Sequence, residues 1–232
     1  MTKKILITGA NGQLGHEMRN ALKGNNRFEC IFTDVAELDI CNAEAVKQTI
    51  ADNHIDYIVN CAAYTQVDKA EDNAELCRKI NTDAVENLAR AAATYGARMI
   101  HISTDYVFNG RGYRPYTEAM TPDPQSVYGS TKLEGEKILT DICPESIIIR
   151  TAWLYSPYGN NFVKTMLHLG KEREELSVVS DQIGTPTCAA DLAQAILVIL
   201  QADTFVPGTY HFSDEGACSW YDFTVTIHRL AG

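Results

Sequence analysis

No apolar run in the 232 residues approaches the roughly 20 needed to cross a bilayer. The N-terminal Met1-Thr-Lys-Lys leads into only a short hydrophobic stretch, too short for the core of a secretion signal. An untargeted cytoplasmic protein is expected. Basic side chains are in the minority, 20 Lys and Arg against 30 Asp and Glu, for a formal net charge of −10. That balance argues against non-specific binding to nucleic acid or to an anionic membrane, and leaves small molecules as the expected partners. Cysteines at C-x-x-C spacing are absent. The seven that occur, at positions 30, 41, 61, 77, 143, 188 and 218, are odd in number and scattered, so neither a disulfide framework nor a zinc site is indicated. They read as core fillers in a reducing compartment. The six histidines show no ligand spacing either, and no metal is expected. Repeats, low-complexity tracts and flexible linkers are also missing, which excludes a repeat architecture and loosely tethered modules.

What the chain does contain is alternation. Short β-branched runs at 5–7, 30–32, 57–59, 99–102, 147–149 and 176–179 are separated by stretches with helical periodicity, the rhythm of a parallel sheet. Leu14, Met18, Ala21 and Leu22 share one helical face with Gly24 as a stop. Further helices are predicted over 42–53, within 66–95 and over 126–141. The fold class is α/β: a doubly wound, Rossmann-like parallel sheet. Residues 1–155 form the dinucleotide-binding unit, and 156–232, richer in Gly, Pro and aromatics, form mainly a capping region interleaved with it.

Gly9-Ala-Asn-Gly12-Gln-Leu-Gly15 lies between the first strand and the first helix. There, residues without side chains let the backbone approach a pyrophosphate at the helix N-terminus. Its G-x-x-G-x-x-G spacing differs from the commoner G-x-G-x-x-G, and glycines also serve plain strand-to-helix turns. Asp34, 19 positions after Gly15, is placed to accept from an adenosine ribose, although a turn-capping aspartate would look the same. Tyr128-Gly-Ser-Thr-Lys132 is the sharpest chemical signal, because i, i+4 spacing brings an ammonium to the helix face that carries the phenol. The lysine charge and an oxidised nicotinamide are both expected to pull the phenol down toward a useful acid/base range. Thr104, ending the strand at Ser103-Thr104, could hydrogen-bond a substrate carbonyl. Trp153 and Asn81 have bland readings as core aromatic and as a buried helix residue tying two strands together.

Together, Gly9-x-x-Gly-x-x-Gly15, Ser103-Thr104 and Tyr128-x-x-x-Lys132 resemble the extended short-chain dehydrogenases that act on nucleotide sugars. Longer strings point within that family to the reductases of dTDP-4-dehydrorhamnose: 60–71 (NCAAYTQVDKAE), 103–108 (STDYVF), 150–155 (RTAWLY), 159–162 (GNNF) and 181–187. The resemblance implies NADH or NADPH as cofactor, held by Gly12, Gln13, Leu14, Asp34, Asp39, Ile40, Ala62, Ala63, Tyr64, Tyr128 and Lys132. It implies a nucleotide-sugar substrate touching Thr104, Asp105, Tyr128 and Trp153, with Thr104, Tyr128 and Lys132 catalytic. Related dehydratases look like Thr-Asp-Glu where this chain has Thr104-Asp105-Tyr106, so the eliminating carboxylate is missing; a 4-epimerase and a non-catalytic subunit like that of methionine adenosyltransferase remain as rivals. Similar chains run some fifty or more residues further, so part of the cap is expected to be missing from these 232 residues. Some relatives bridge a dimer with magnesium through glutamates; Glu17 matches one such position but Ala190 stands at another, and a monomer is expected.

Overall fold

The computed structural model describes residues 2–232. Strands β1 (Lys3–Thr8), β2 (Phe28–Thr33), β3 (Tyr57–Asn60), β4 (Arg98–Thr104) and β5 (Ile147–Thr151) alternate with helices α1 (Gln13–Ala21) and α2 (Ala43–Asn53), with α3 (Val67–Asp72), α4 (Ala74–Arg78) and α5 (Ala84–Tyr95), and with α6 (Val127–Ile142). Beyond them lie β6 (Leu154–Tyr155), α7 (Phe162–Glu172), β7 (Ile183–Gly184), β8 (Thr187–Cys188), α8 (Ala189–Gln201), β9 (Gly208–His211), β10 (Cys218–Ser219) and α9 (Trp220–Ala231). Six strands form one parallel sheet in the order β2-β1-β3-β4-β5-β9.

Apolar side chains leave both faces of this sheet, which is why the strands read as unbroken hydrophobic runs rather than as alternating ones. Leu6, Ile58, Met99 and Ile148 face α2, α5 and α6, packing on Val46, Ile50, Leu88 and Leu139. Ile5, Ile7, Val59, Ile100, Ile147 and Ile149 face α1 and α8, packing on Leu14, Met18, Leu192 and Ile196. Each fully buried side chain of this size contributes about 1.5–3 kcal/mol, so the two layers fix the sheet and with it the loops at its C-terminal edge.

Two readings of the sequence are corrected here. Residues 176–179 form no strand: Val179 is half exposed, and β-propensity without a neighbouring edge to pair with leaves an extended loop. The sixth strand of the sheet is instead β9, whose register sets Ile147 against Gly208 and Ile149 against Tyr210. As an edge strand with one partner it needs no hydrophobic run, and Gly-Thr-Tyr-His offers none. The long helix expected within 66–95 is present at 74–95, preceded by the short α3, which ends at Asn73 with φ of −127°. A π-helical turn, Lys79–Asp83, then joins α4 to α5. Finally, only Cys77 and Cys143 are buried; the other five cysteines are half-buried, and all seven are free thiols. No helix among the described residues is long and apolar enough to cross a membrane.

Candidate active site

The sheet order reverses between β1 and β3, whose following loops therefore diverge and open a crevice at their C-terminal ends. Gly9 adopts φ of +64°, and a Cβ there would meet the Ala62 backbone at 2.7 Å. Glycine is required on both counts. A Cβ at Gly15 would likewise run into Gly9 and Ala10, so α1 can start directly against the loop. Gly12 caps α1 without any side-chain hydrogen bond, and the first turn carries no acidic residue. The free N–H groups and positive end of the helix are thus left for an anion.

A cavity of about 410 Å³ opens at this point, lined by Gly9, Gly12, Asp34, Asp39, Ile40, Ala62 and Ala63, all singled out from the sequence. Cys61, within the 60–71 string, lines it too, as do Leu38, Cys41, Leu76, Lys79 and Ile80; no local motif marks these last five, because they arrive from two separate segments. Gln13, Leu14, Gly15, Tyr64, Tyr128 and Lys132, also expected at the cofactor, are not in that lining. The Leu14 side chain is buried between α1 and the sheet. Gln13 accepts from Asn161 Nδ2 at 2.9 Å and reaches Leu154 O at 3.5 Å, tying α1 to the loop before α7. Tyr64 packs with Ala70, Cys77 and Tyr128. Asp34 already accepts from the backbone N–H of Asn11 at 3.0 Å and of Val35 at 2.8 Å, so it organises the turn in which it sits as well as facing the cavity. The donor-lined turn, small residues and terminal carboxylate fit a dinucleotide.

Tyr128 stands in the first turn of α6, whose N-cap Ser126 accepts from Gly129 N. A Cβ at Gly129 would strike Tyr106 O, and this close approach brings the start of α6 onto the turn after β4. Thr104 at the end of β4 is thereby set beside Tyr128, where its hydroxyl offsets part of the upward push that burial exerts on the phenol. Thr104 Oγ1 also donates to Asp105 Oδ1 at 3.1 Å. Burial is the dominant effect on all three titratable groups. It pushes Asp105 up to about 6 against the Thr104 hydrogen bond, pulls Lys132 down to about 8 against the attraction of Glu136, and raises Tyr128 well above an ordinary phenol.

The last point corrects the expectation that Lys132 brings Tyr128 down toward neutrality. Lys132 is 1% exposed and its Nζ donates inward to Ile102 O at 2.7 Å, beside His101 Nε2 at 3.2 Å, while the phenol loses solvation that Thr104 only partly replaces. A phenol held protonated suits proton donation rather than abstraction.

Asn81 occupies the π-helical turn. It ties helix to loop rather than strand to strand, accepting from Tyr64 N at 2.8 Å and donating to Tyr64 O at 3.1 Å. Asp105 also lines a second cavity of about 510 Å³, with the aromatic rings of Phe108, Tyr113, Tyr116 and Phe212 and with Arg114. Trp153 is absent from that lining: φ of +48° turns its indole face to face with Trp220, ring centroids 3.4 Å apart. A larger cavity of about 610 Å³, by Lys3, Phe28 and Asp203, lies where β1 and β2 begin and holds none of the expected residues. Among the described residues no three His, Cys, Asp or Glu side chains gather as metal ligands. Glu17 is buried in α1, where it accepts from Asn20, and Ala190 lies in α8.

A phosphate-binding turn at the switch point of a parallel sheet, beside a buried Thr-Tyr-Lys cluster, defines the class of Rossmann-type nucleotide-cofactor oxidoreductases. The chain matches the model of the family described as RmlD substrate binding domain over residues 3–232, and it belongs to that family. It is 46% identical to the dTDP-4-dehydrorhamnose reductase of Escherichia coli K12, covering 98% of this chain and 78% of that one. Among solved structures, a dTDP-4-dehydrorhamnose reductase from Clostridium acetobutylicum superposes with a TM-score of 0.95 at 52% identity, covering 99% of this chain and 80% of that one. The same enzyme from Bacillus anthracis, in complex with NADP, gives 0.95 at 44%, covering 100% and 81%.

Proposed function

We propose that this protein reduces the C4 keto group of dTDP-4-dehydro-L-rhamnose to give dTDP-L-rhamnose, a nucleotide sugar for cell-surface polysaccharide, with NADPH or NADH as the reductant. The observation that carries the reading is the strand end at Thr104 and Asp105, where Asp105 lines a cavity suited to a sugar nucleotide and burial holds the neighbouring Tyr128 phenol protonated. Bound in the switch-point cavity, NAD(P)H would supply the hydride. Gly9, Gly12 and Gly15 present backbone to its pyrophosphate, and Asp34, Asp39 and Ile40 bound the adenosine end. Thr104 and Tyr128 hold the substrate oxygen from which the carbonyl develops into an alkoxide, and Tyr128 gives that oxygen its proton. Lys132 supports the phenol from one turn further along α6. The rings and the Arg114 guanidinium of the second cavity suit the apolar faces and the anionic diphosphate of a nucleotide sugar.

Residues 156–188 and 212–232 serve as the cap over this site, with Trp153 at its base. The protein works as a monomer in the cytoplasm, without nucleic acid or magnesium; sedimentation as a dimer that dissociates on chelation would contradict that part.

The test is cofactor consumption with dTDP-4-dehydrorhamnose. One NAD(P)H oxidised per sugar reduced is expected. Interconversion of sugars without net consumption would make the protein an epimerase, and tight cofactor binding without turnover would make it a binding subunit.

A further inference from the structure

Beneath the site a chain of buried polar groups that the proposed reduction does not use leads up to Lys132. Thr8 Oγ1 donates to Asn60 Oδ1 at 2.7 Å, and Ala62 N donates to the same oxygen at 3.1 Å. Those two donors fix the Asn60 amide, so it is Nδ2 that faces His101 Nδ1 at 3.0 Å and donates to it. His101 Nδ1 is therefore the acceptor nitrogen of a neutral imidazole, and its proton is on Nε2. Nε2 in turn lies 3.2 Å from Lys132 Nζ.

Donor counting on these four residues has one complete solution. An ammonium at Lys132 has only donors to offer, and would face the Nε2–H head to head. A neutral amine accepts the Nε2–H through its lone pair and still donates to Ile102 O at 2.7 Å. The other tautomer of His101 would serve the ammonium, but would set Nδ1–H against the Asn60 amide. Asn60 and His101 are both 0% exposed and Lys132 1%, so water does not relieve either conflict.

We propose that His101, held by Asn60 with its proton on Nε2, is a positioning residue that makes Lys132 shed its proton readily, and so sets the charge buried one turn along α6 from Tyr128. The groups facing the pair come from four elements. Asn60 is from β3, Ile102 O from β4, and Glu136 from α6 itself, while Cys77 is from α4. Of these Glu136 and Cys77 favour the charged lysine, and burial opposes them. Burial and the Lys132 charge both hold His101 far below an ordinary imidazole, consistent with a ring that stays neutral. The proposal matters for turnover only through the reductase reading, but it is tested in the free protein.

The experiment is NMR on the whole chain. ¹⁵N-labelled histidine reports the His101 tautomer, and ¹³Cε-labelled lysine reports the Lys132 midpoint, assigned by loss of its signal in Lys132→Met. The expected result is a neutral His101 protonated on Nε2 from pH 5 to 9, and a Lys132 midpoint at about 8 or lower. His101→Gln can turn a carbonyl oxygen toward Nζ. Asn60→Asp accepts from Nδ1–H and so turns the Nε2 lone pair to Lys132. Each should raise the midpoint by about one pH unit or more. A proton found on Nδ1, a wild-type midpoint near the ordinary lysine value of about 10.4, or an unmoved midpoint in whichever variant folds would overturn the proposal. Failure of the protein to reduce any sugar would leave the tautomer and the midpoint as measured, because neither measurement requires turnover.

Discussion

Arg150 at the inner end of β5 and Glu136 in α6 form a buried, doubly hydrogen-bonded ion pair. Nε lies 3.0 Å from Oε1 and Nη2 2.6 Å from Oε2, with the two side chains 7% and 5% exposed. Ser103 Oγ donates to the same carboxylate, so the pair clamps β4, β5 and α6 together directly behind Thr104. Desolvation offsets most of the attraction within such a pair, but removing one partner strands the other charge in the interior. Arg150→Met is therefore expected to cost about 3–5 kcal/mol, and the double variant with Glu136→Leu distinctly less. Urea unfolding of the three proteins checks this, and equal losses in single and double variants would contradict it.

The position of Asp34 bears on the choice of cofactor. Its carboxylate borders the cavity and suits the free ribose hydroxyls of NADH, yet both its oxygens are already engaged by the backbone at Asn11 and Val35. That engagement moderates its repulsion of a 2′-phosphate. Both nicotinamides should bind, with affinities within a hundredfold of each other, a span of roughly 2.7 kcal/mol. Parallel fluorescence titrations with NADH and NADPH measure the ratio. Preference for NADPH beyond that span would remove Asp34 from the ribose site.

Asp105 gives a pH dependence whose sign is fixed by its environment. Burial raises its carboxyl from the ordinary 3.8 to about 6 in the folded protein. Between those values the folded state binds the proton that the unfolded state has released, so stability falls as pH rises through this window. Asp105→Asn removes the dependence. Relative to wild type it should gain about 2 kcal/mol of stability on going from pH 4 to pH 7. Denaturation midpoints at the two pH values decide it, and a variant that loses stability relative to wild type over that range would show Asp105 to be favourably ionised.

The parts of the site legible in the sequence are those whose chemistry is local. The Gly9 turn, the Tyr128 and Lys132 spacing and the Ser103-Thr104 strand end each sit within seven residues, where helix and strand periodicity dictates which groups share a face. What could not be read is assembled across long separations. Lys132 is 31 positions from the His101 that it meets, and His101 is 41 from Asn60. Trp153 reads as a ligand-facing aromatic in the sequence because its partner Trp220 is supplied from another helix. Spacing shows that Lys132 is near Tyr128, and so implies a lowered phenol, but it does not show that the lysine charge is directed away into β4. Strand β9 is invisible for a related reason: its place depends on an edge offered by β5 and not on its own composition.

Tyr128 carries the sharpest prediction. It is 8% exposed, stands beside Thr104 and meets the Tyr106 ring edge-on at 5.5 Å, so Tyr128→Phe should preserve the packing and remove only the hydroxyl. A tyrosine of purely structural importance would then cost about 1 kcal/mol of stability and leave turnover nearly intact. A proton donor would instead lower kcat by about 10² to 10⁴, with cofactor affinity almost unchanged. Because burial keeps the wild-type phenol protonated well above neutrality, its own ionisation should not shape the rate between pH 6 and 9. Any pH dependence in that range is expected from Lys132, near 8, and from Asp105, near 6. Steady-state rates for the wild type and Tyr128→Phe across that range, with folding checked by thermal unfolding, separate the cases. Near-wild-type kcat in a folded Tyr128→Phe would remove Tyr128 from the chemistry and leave Thr104 and Asp105 as the groups to test as donors to the substrate oxygen.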